Sequence, residues 1–209
     1  VIERAAKEIA AARKPVIYAG GGIARSNAEA ELVAFAEAAG IAVMTSAGGK
    51  GTMSEKHPLA LGGSLGPGGQ LKEYIEDADV IIGIGTRFSM RNPAGNDARL
   101  IHIDADPAMI GHVHQNTLGL VGDVKATLPV LGQALEAAGG GTWSSPTKQV
   151  ADIQRRLAES EEEKNRPQED YLQALQAGVP NDAVMIFGMT QLVYYSRQRW
   201  LTENPKSYI

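Results

Sequence analysis

The chain has 209 residues, no cysteine and a formal net charge of −4. Disulfide scaffolds, Cys-ligated metals and thiol chemistry are thereby excluded, and the acidic balance leaves no electrostatic footprint for nucleic acid. No apolar run approaches the ~20 residues needed to span a bilayer, so no membrane partner is expected, and the lack of cysteine is compatible with the expected cytoplasmic location.

The chain opens on Val1-Ile2-Glu3-Arg4 without a signal-peptide pattern, and this start reads as a cut inside a longer protein. Ile2 to Ala12 has helical periodicity, with Ile2, Ala5, Ala6 and Ile9 on one face. Lys14-Pro15 stops it. Val16 to Ala19 is a strand and Gly20-Gly21-Gly22 its turn. Ser26 or Asn27 caps the next helix, which runs to Ala39 and ends at Gly40. Ile41 to Met44 is a second strand. Gly48 to Pro67 is rich in breakers and reads as a long loop. A helix from Gln70 to Asp77 leads to strands at Val80 to Ile84 and Leu100 to Ile103, separated by a loop at Arg91 to Ala98. Pro107 suits the first position of a short helix to Ile110. Leu118 to Val121 is a fifth strand, and Asp123 caps a helix from Val124 to Ala137.

Strands alternating with helices predict an α/β fold with a parallel sheet of five or six strands and helices on both faces. We place this domain at residues 1–138. Residues 139–166 form a linker with a charged helix, whose Glu159 to Glu163 run is a solvated face. Residues 167–209 hold a helix at Tyr171 to Ala177, a strand at Ala183 to Phe187 and a helix at Thr190 to Trp200. One strand with two helices cannot bury its own core. This tail is expected to be the start of a truncated second domain that is disordered, packed on the first domain or paired with another copy.

The carboxyl edge of such a sheet is where nucleotides bind, which selects the candidate residues. Gly20, Gly21 and Gly22 allow a pyrophosphate to approach backbone N–H groups, or serve a tight turn that needs positive φ. No Gly-x-Gly-x-x-Gly follows them. Gly85 ends a strand. Arg87 and Arg91 could hold a diphosphate through bidentate bonds or pair with an interface carboxylate. Asp104 could accept from ribose hydroxyls or cap the Asp106-Pro107 turn. Asp123 is expected to cap a helix and to stand beside the base of a bound nucleotide. Thr45, Ser46 and Ala47 are candidates to lie along the ligand at the end of the second strand. Lys50 in Gly49-Lys50-Gly51 is not a phosphate-loop lysine, because Gly51 rather than Ser or Thr follows it. His57 reads as a loop hydrogen-bond partner, and His112 with His114 lacks the second cluster a metal would need. No catalytic residue is assigned.

These segments carry a resemblance. Gly20 to Gly22, Thr45 to Gly51, His57-Pro58-Leu59, Leu61-Gly62, Gly66 to Gly69, Asp77-Ala78-Asp79, Gly85-Thr86-Arg87-Phe88, Ile101-His102-Ile103-Asp104, Asp106-Pro107 and Gly122-Asp123 stand in order. The set resembles the central domain of thiamine diphosphate-dependent enzymes of the acetohydroxyacid (acetolactate) synthase type. Gln168, Tyr171-Leu172, Val179-Pro180, Asp182 and Gly188 to Gln191 resemble the opening of that family's coenzyme-binding domain. Ser89-Met90 and Met189-Thr190 depart from the synthases proper and leave the wider group of decarboxylases, carboligases and oxidases open.

The resemblance implies a Rossmann-like domain of the DHS-like NAD/FAD-binding type. It implies thiamine diphosphate and Mg2+ in the full-length parent, and FAD or another adenine nucleotide in the central domain. Arg87 is then the better diphosphate ligand, and Thr190 and Gln191 lie on the coenzyme side. The implied partners are the missing domains of the parent and further copies in a homo-oligomer. The implied chemistry is decarboxylation or carboligation of 2-keto acids, with this fragment inactive alone. Two rival readings stand beside it: a nicotinamide- or flavin-nucleotide-binding module of another class, and a purely structural spacer domain.

Overall fold

The apolar runs become strands. Every residue of β1 (Pro15–Ala19) and of β4 (Val80–Ile84) is buried, as expected of a parallel sheet covered on both faces. The structure, a computed structural model, describes residues 1–63, 70–88, 98–159 and 166–208. Its other strands are β2 (Ala42–Thr45), β3 (Ala60–Gly63), β5 (Arg99–Asp104) and β6 (Thr117–Val121). The helices are α1 (Ile2–Ala10), α2 (Gly22–Ser26), α3 (Glu29–Ala39), α4 (Gln70–Glu76), α5 (Val124–Ala137), α6 (Thr147–Glu159), α7 (Arg166–Gly178) and α8 (Gln191–Arg199).

The described strands form one sheet in the order β3-β2-β1-β4-β5-β6, and every neighbouring pair is parallel. The chain starts in the middle at β1, builds outward through β2 and β3, then returns to build the other half. The order therefore reverses between β1 and β4, the switch point where a doubly wound sheet opens a crevice.

Alternation along the strands divides the core into two layers. Ile17, Val43, Ile82, Ile84, Ile101 and Ile103 face α1, α3 and α5 through Ala5, Ile9, Leu32, Phe35, Leu128 and Leu131. Val16, Tyr18, Met44, Ile81 and Leu100 face α4 and α6 through Leu71, Tyr74, Ile75, Val150 and Ile153. The charged helix after the first domain thus presents an apolar stripe to the sheet. Its charges stay outside, where Arg155 bonds Asp152 and Glu159.

Three local expectations are corrected. The stretch read as a loop from Gly48 to Pro67 contains the edge strand β3. Two of its four residues are glycine and Gly62 sits at φ +83, so it lacked the apolar alternation that marks a strand. Its pairing with β2 is correspondingly irregular between Val43 and Met44. Neither Ser26 nor Asn27 caps a helix N-terminus. A short helix starts directly at Gly22, and Asn27 closes it in the left-handed conformation at φ 48, where asparagine is tolerated. The expected strand at Ala183 to Phe187 is reduced to one parallel bridge, Met185 to Tyr208, because a strand needs neighbours to persist. The Gly66 to Gly69 motif lies outside the described residues.

The tail packs back on the first domain. The Glu55 N–H donates to the Thr202 carbonyl at 2.9 Å, and the Thr202 N–H donates to Glu55 Oε2 at 3.0 Å. Ile186 and Met189 nevertheless remain 73% and 81% exposed, so the first domain covers only part of the tail's apolar surface.

Asp79 ties two distant turns together. Its carboxylate accepts the backbone N–H groups of Arg13 at 2.8 Å and Lys14 at 2.9 Å. Burial pushes its pKa up, but these bonds outweigh that and hold it below the usual value. A depressed carboxylate contributes stability that is present above the unfolded pKa and lost as pH falls through the folded one. Asp79→Asn is therefore expected to cost about 1–2 kcal/mol at neutral pH and to flatten the loss of stability on acidification below pH ~4. Urea unfolding at pH 6 and pH 3 checks both; equal stability of the two proteins at pH 6 would contradict the expectation.

Candidate functional site

At the carboxyl edge of the sheet, beside the β1–β4 switch point, lies a cleft of about 630 Å³. Parallel strands bring all their carboxyl ends to one edge, so residues far apart in the chain meet there. Gly21 and Gly22 follow β1, Ser46 follows β2, Gly85 and Arg87 follow β4, and Asp104 ends β5; all six line the cleft. Arg25, Thr86, Phe88 and Asp106 join them and were not singled out as ligand contacts from the sequence. Arg25 becomes visible only once a helix is known to begin at Gly22.

The remaining candidates lie elsewhere. Gly20 is buried behind the wall, and a Cβ there would stand 2.2 Å from the Gly85 carbonyl oxygen. Gly22 meets Gly85 Cα at 2.6 Å and Gly21 meets the Gly48 carbonyl oxygen at 2.8 Å by the same measure. The triple glycine is thus required by backbone packing before any ligand is considered. Thr45 is buried with its Oγ1 beside Gly63 of β3, so it does not line the cleft. Asp123 caps α5 by accepting from Ala126 N at 3.3 Å, and only its neighbour Val124 reaches the cleft. Thr190 and Gln191 open α8, exposed and away from the cleft wall. Arg91 lies outside the described residues.

Local bonds shape the donors. Ser46 Oγ accepts from Gly49 N at 3.1 Å and so caps a 3₁₀ turn at Ala47–Gly49. Asp104 Oδ1 accepts from Asp106 N at 2.9 Å, and Asp106 Oδ1 accepts from Ala108 N at 2.9 Å. Asp104 therefore supports the turn while lining the cleft. His102 is buried, and its Nε2 meets the Thr86 carbonyl oxygen at 2.8 Å. A carbonyl only accepts, so Nε2 carries the proton. Burial pushes the His102 pKa below the ordinary histidine value, against smaller upward effects of the Thr86 carbonyl and Asp104. Burial thus favours the neutral imidazole.

The other singled-out side chains have structural partners. Lys50 Nζ lies 2.5 Å from Glu55 Oε1 in a buried ion pair, away from the cleft. Burial lowers its pKa while the Glu55 charge pulls it back up. His57 Nε2 is 3.1 Å from Glu37 Oε1, and its Nδ1 accepts from Leu59 N at 3.2 Å. Among the described residues, no three His, Asp or Glu side chains converge as metal ligands.

Volume alone does not single out the cleft. A groove between α3 and α5 measures about 610 Å³, and another beside α6 and α7 about 600 Å³. The first is lined largely by small and apolar residues. In the second, several polar side chains are already paired: Gln154 donates to the Glu55 and Ala60 carbonyls, and Glu169 pairs with Arg199 at 3.1 Å. The cleft at the strand ends differs in gathering two guanidinium groups, several hydroxyl-bearing residues and two carboxylates at the switch point.

Comparison with known proteins gives a consistent result. Residues 2–131 match the family model described as thiamine pyrophosphate enzyme, central domain. The acetolactate synthase large subunit of Corynebacterium glutamicum is 33% identical over 224 residues of alignment, covering 100% of this chain and 35% of that protein. The probable acetolactate synthase large subunit of Methanocaldococcus jannaschii is 44% identical over 142 residues, covering 65% of this chain and 24% of its own length. This chain therefore spans about a third or less of the curated relatives it matches. An X-ray structure described as a thiamin diphosphate-dependent enzyme from Mycobacterium smegmatis superposes with a TM-score of 0.75 at 21% identity, over 100% of this chain and 40% of that one. That likeness bears on the fold.

Proposed function

Because the chain belongs to the thiamine pyrophosphate enzyme central-domain family, we propose that it serves as that domain in an acetolactate synthase-like enzyme acting on 2-keto acids. The domain occupies residues 1–138, residues 139–166 are the linker with its charged helix, and residues 167–209 begin the coenzyme-binding domain. The remaining domains of the parent and further copies of the chain are its partners, in the cytoplasm. Membership of this family also displaces the reading as a nicotinamide- or flavin-binding module of another class.

The cleft is proposed as a site for an adenine nucleotide, FAD being the expected one. The observation that carries this reading is the meeting of Ser46, Gly21, Gly85, Arg87 and Asp104 from four adjacent strand ends at the switch point. The donor set fits the ligand. Arg87 and Arg25 suit a diphosphate, Ser46 and the backbone around Gly21 add neutral donors, and Asp104 suits ribose hydroxyls. Thiamine diphosphate, when bound in the parent, supplies the electron sink for breaking the bond to the departing carboxylate. The described residues offer no cluster to hold its magnesium, and no catalytic step is assigned to them. This chain's own part is to bind, orient and space.

The test is calorimetry on the full chain with ADP, FAD, coenzyme A and NAD. A ligand at a hundredfold excess over its Kd is expected to add about 2.7 kcal/mol of stability. Arg87→Ala is expected to weaken ADP binding by roughly 10- to 100-fold through the loss of a charge-assisted bond. Lys72→Ala, on the exposed side of α4, is expected to leave it unchanged. Absence of heat and of stabilisation with all four ligands would overturn the reading. It would favour a structural spacer, which one observation already supports: packing against Gly85 and Gly48 accounts for the triple glycine without a ligand.

A further inference from the structure

Resting on the nucleotide reading of the cleft, we propose that Phe88 is a positioning residue, whose ring, lodged between Tyr18 and His102, holds the turn that presents Arg87 to the ligand. The backbone of Phe88 stands at φ +50. A bulky side chain adopts that conformation only where its surroundings over-determine it. Here the ring is the anchor. It stacks on Tyr18 with centroids 5.5 Å apart and planes at 14°, and meets the His102 ring edge-on at 5.2 Å and 69°.

The strand beneath is shaped for the ring. A Cβ on Gly83 would lie 2.4 Å from Phe88 Cζ. Glycine weakens a strand interior, and its presence in the middle of β4 is accounted for by the space that this ring fills.

Both neighbours of Arg87 are pinned while Arg87 itself is exposed on the cleft. On one side, the Thr86 carbonyl accepts from His102 Nε2 at 2.8 Å. On the other, the Phe88 N–H reaches Thr86 Oγ1 at 3.3 Å, and Phe88 is only 6% exposed. With the backbone fixed before and after it, the start of the Arg87 side chain has one direction, and less freedom is lost when a diphosphate binds. Phe88 therefore acts on the ligand through Arg87.

A double-mutant cycle on the full chain tests this, with ADP as the probe in calorimetry and thermal melting recorded separately. Arg87→Ala is expected to weaken ADP binding at least 10-fold. Phe88→Leu is expected to weaken it by a comparable factor. The double variant is then no weaker than Arg87→Ala alone. Gly83→Ala, which crowds the ring from outside the cleft, is expected to repeat the Phe88→Leu effect and serves as the perturbation if Phe88→Leu does not fold. A ring that merely stabilises the fold would lower the melting temperature while leaving the Arg87→Ala factor unchanged in the Phe88→Leu background. That additive outcome overturns the inference and leaves the nucleotide reading standing. A wild-type chain that binds neither ADP nor the other nucleotides overturns both.

Discussion

Replacing Glu55 with alanine is expected to lower the unfolding free energy by about 3–5 kcal/mol, the range for a buried ion pair stripped of one partner. Lys50 and Glu55 side chains are only 1% and 7% exposed and meet at 2.5 Å. The second Glu55 oxygen accepts the Thr202 N–H, and the Lys50 ammonium lies 5.5 Å from the centroid of the Tyr208 ring. Without Glu55, a buried ammonium faces no counter-charge and a backbone donor of the tail loses its acceptor. The tail should then release as well as destabilise, so protease cleavage after residue 166 should accelerate.

The double variant Lys50→Met with Glu55→Leu removes the charge together with its partner. It is expected to recover most of the loss, short of about 1 kcal/mol for the orphaned Thr202 N–H. Urea unfolding followed by circular dichroism measures both. A Glu55→Ala protein within 1 kcal/mol of wild type would show that water reaches the pair.

Gly20→Ala is expected to cost about 3 kcal/mol, the upper end for overpacking. The added methyl would meet the Gly85 carbonyl oxygen at 2.2 Å, Thr86 Cβ at 2.6 Å and Thr86 Cα at 2.7 Å. Two of these are backbone atoms at the end of β4 and cannot swing aside as a flexible side chain would. The Gly20 N–H also bonds the Ile84 carbonyl at 2.8 Å, so the two strand ends must separate to admit the methyl. Gly85 and Arg87 move with them, and ADP affinity is expected to fall although Gly20 is not on the cleft wall. Gly48→Ala is the contrast. Its nearest neighbours would be 3.9 Å away, and it should stay within about 0.5 kcal/mol of wild type. Equal melting of the two variants would contradict the packing account of the triple glycine.

The strands that the sequence located were the apolar runs, including the half-exposed edge strand β6, and the clearest of them are buried on both faces. Val16 to Ala19 and Val80 to Ile84 are apolar at nearly every position, and such runs have few other stable fates. Asp123 before Val124 was legible for the same local reason, since a cap acts within one turn. β3 was not, because its edge position is imposed by β2 rather than by its own four residues. The tail strand failed in the other direction: Ala183 to Phe187 has the composition of a strand, but pairing is supplied by neighbours and, among the described residues, only Tyr208 offers it.

The sequence by itself determined a parallel α/β sheet whose carboxyl edge gathers Gly21, Ser46, Gly85, Arg87 and Asp104. It could do so because chain direction in a parallel sheet sends every strand end to the same side. Only the tertiary structure decided which of the strand-end residues face the cleft. Thr45 faces β3, Gly20 is buried against Gly85, and Asp123 is spent on its helix. It also decided the left-handed turn at Phe88, which depends on Tyr18, Gly83 and His102, and the Lys50–Glu55 pair, which closes over Thr202, 147 residues from Glu55. Such features rest on contacts between segments distant in the chain. Their energies come from exclusion of water and close packing, which arise only after the fold has formed and leave no periodicity to read.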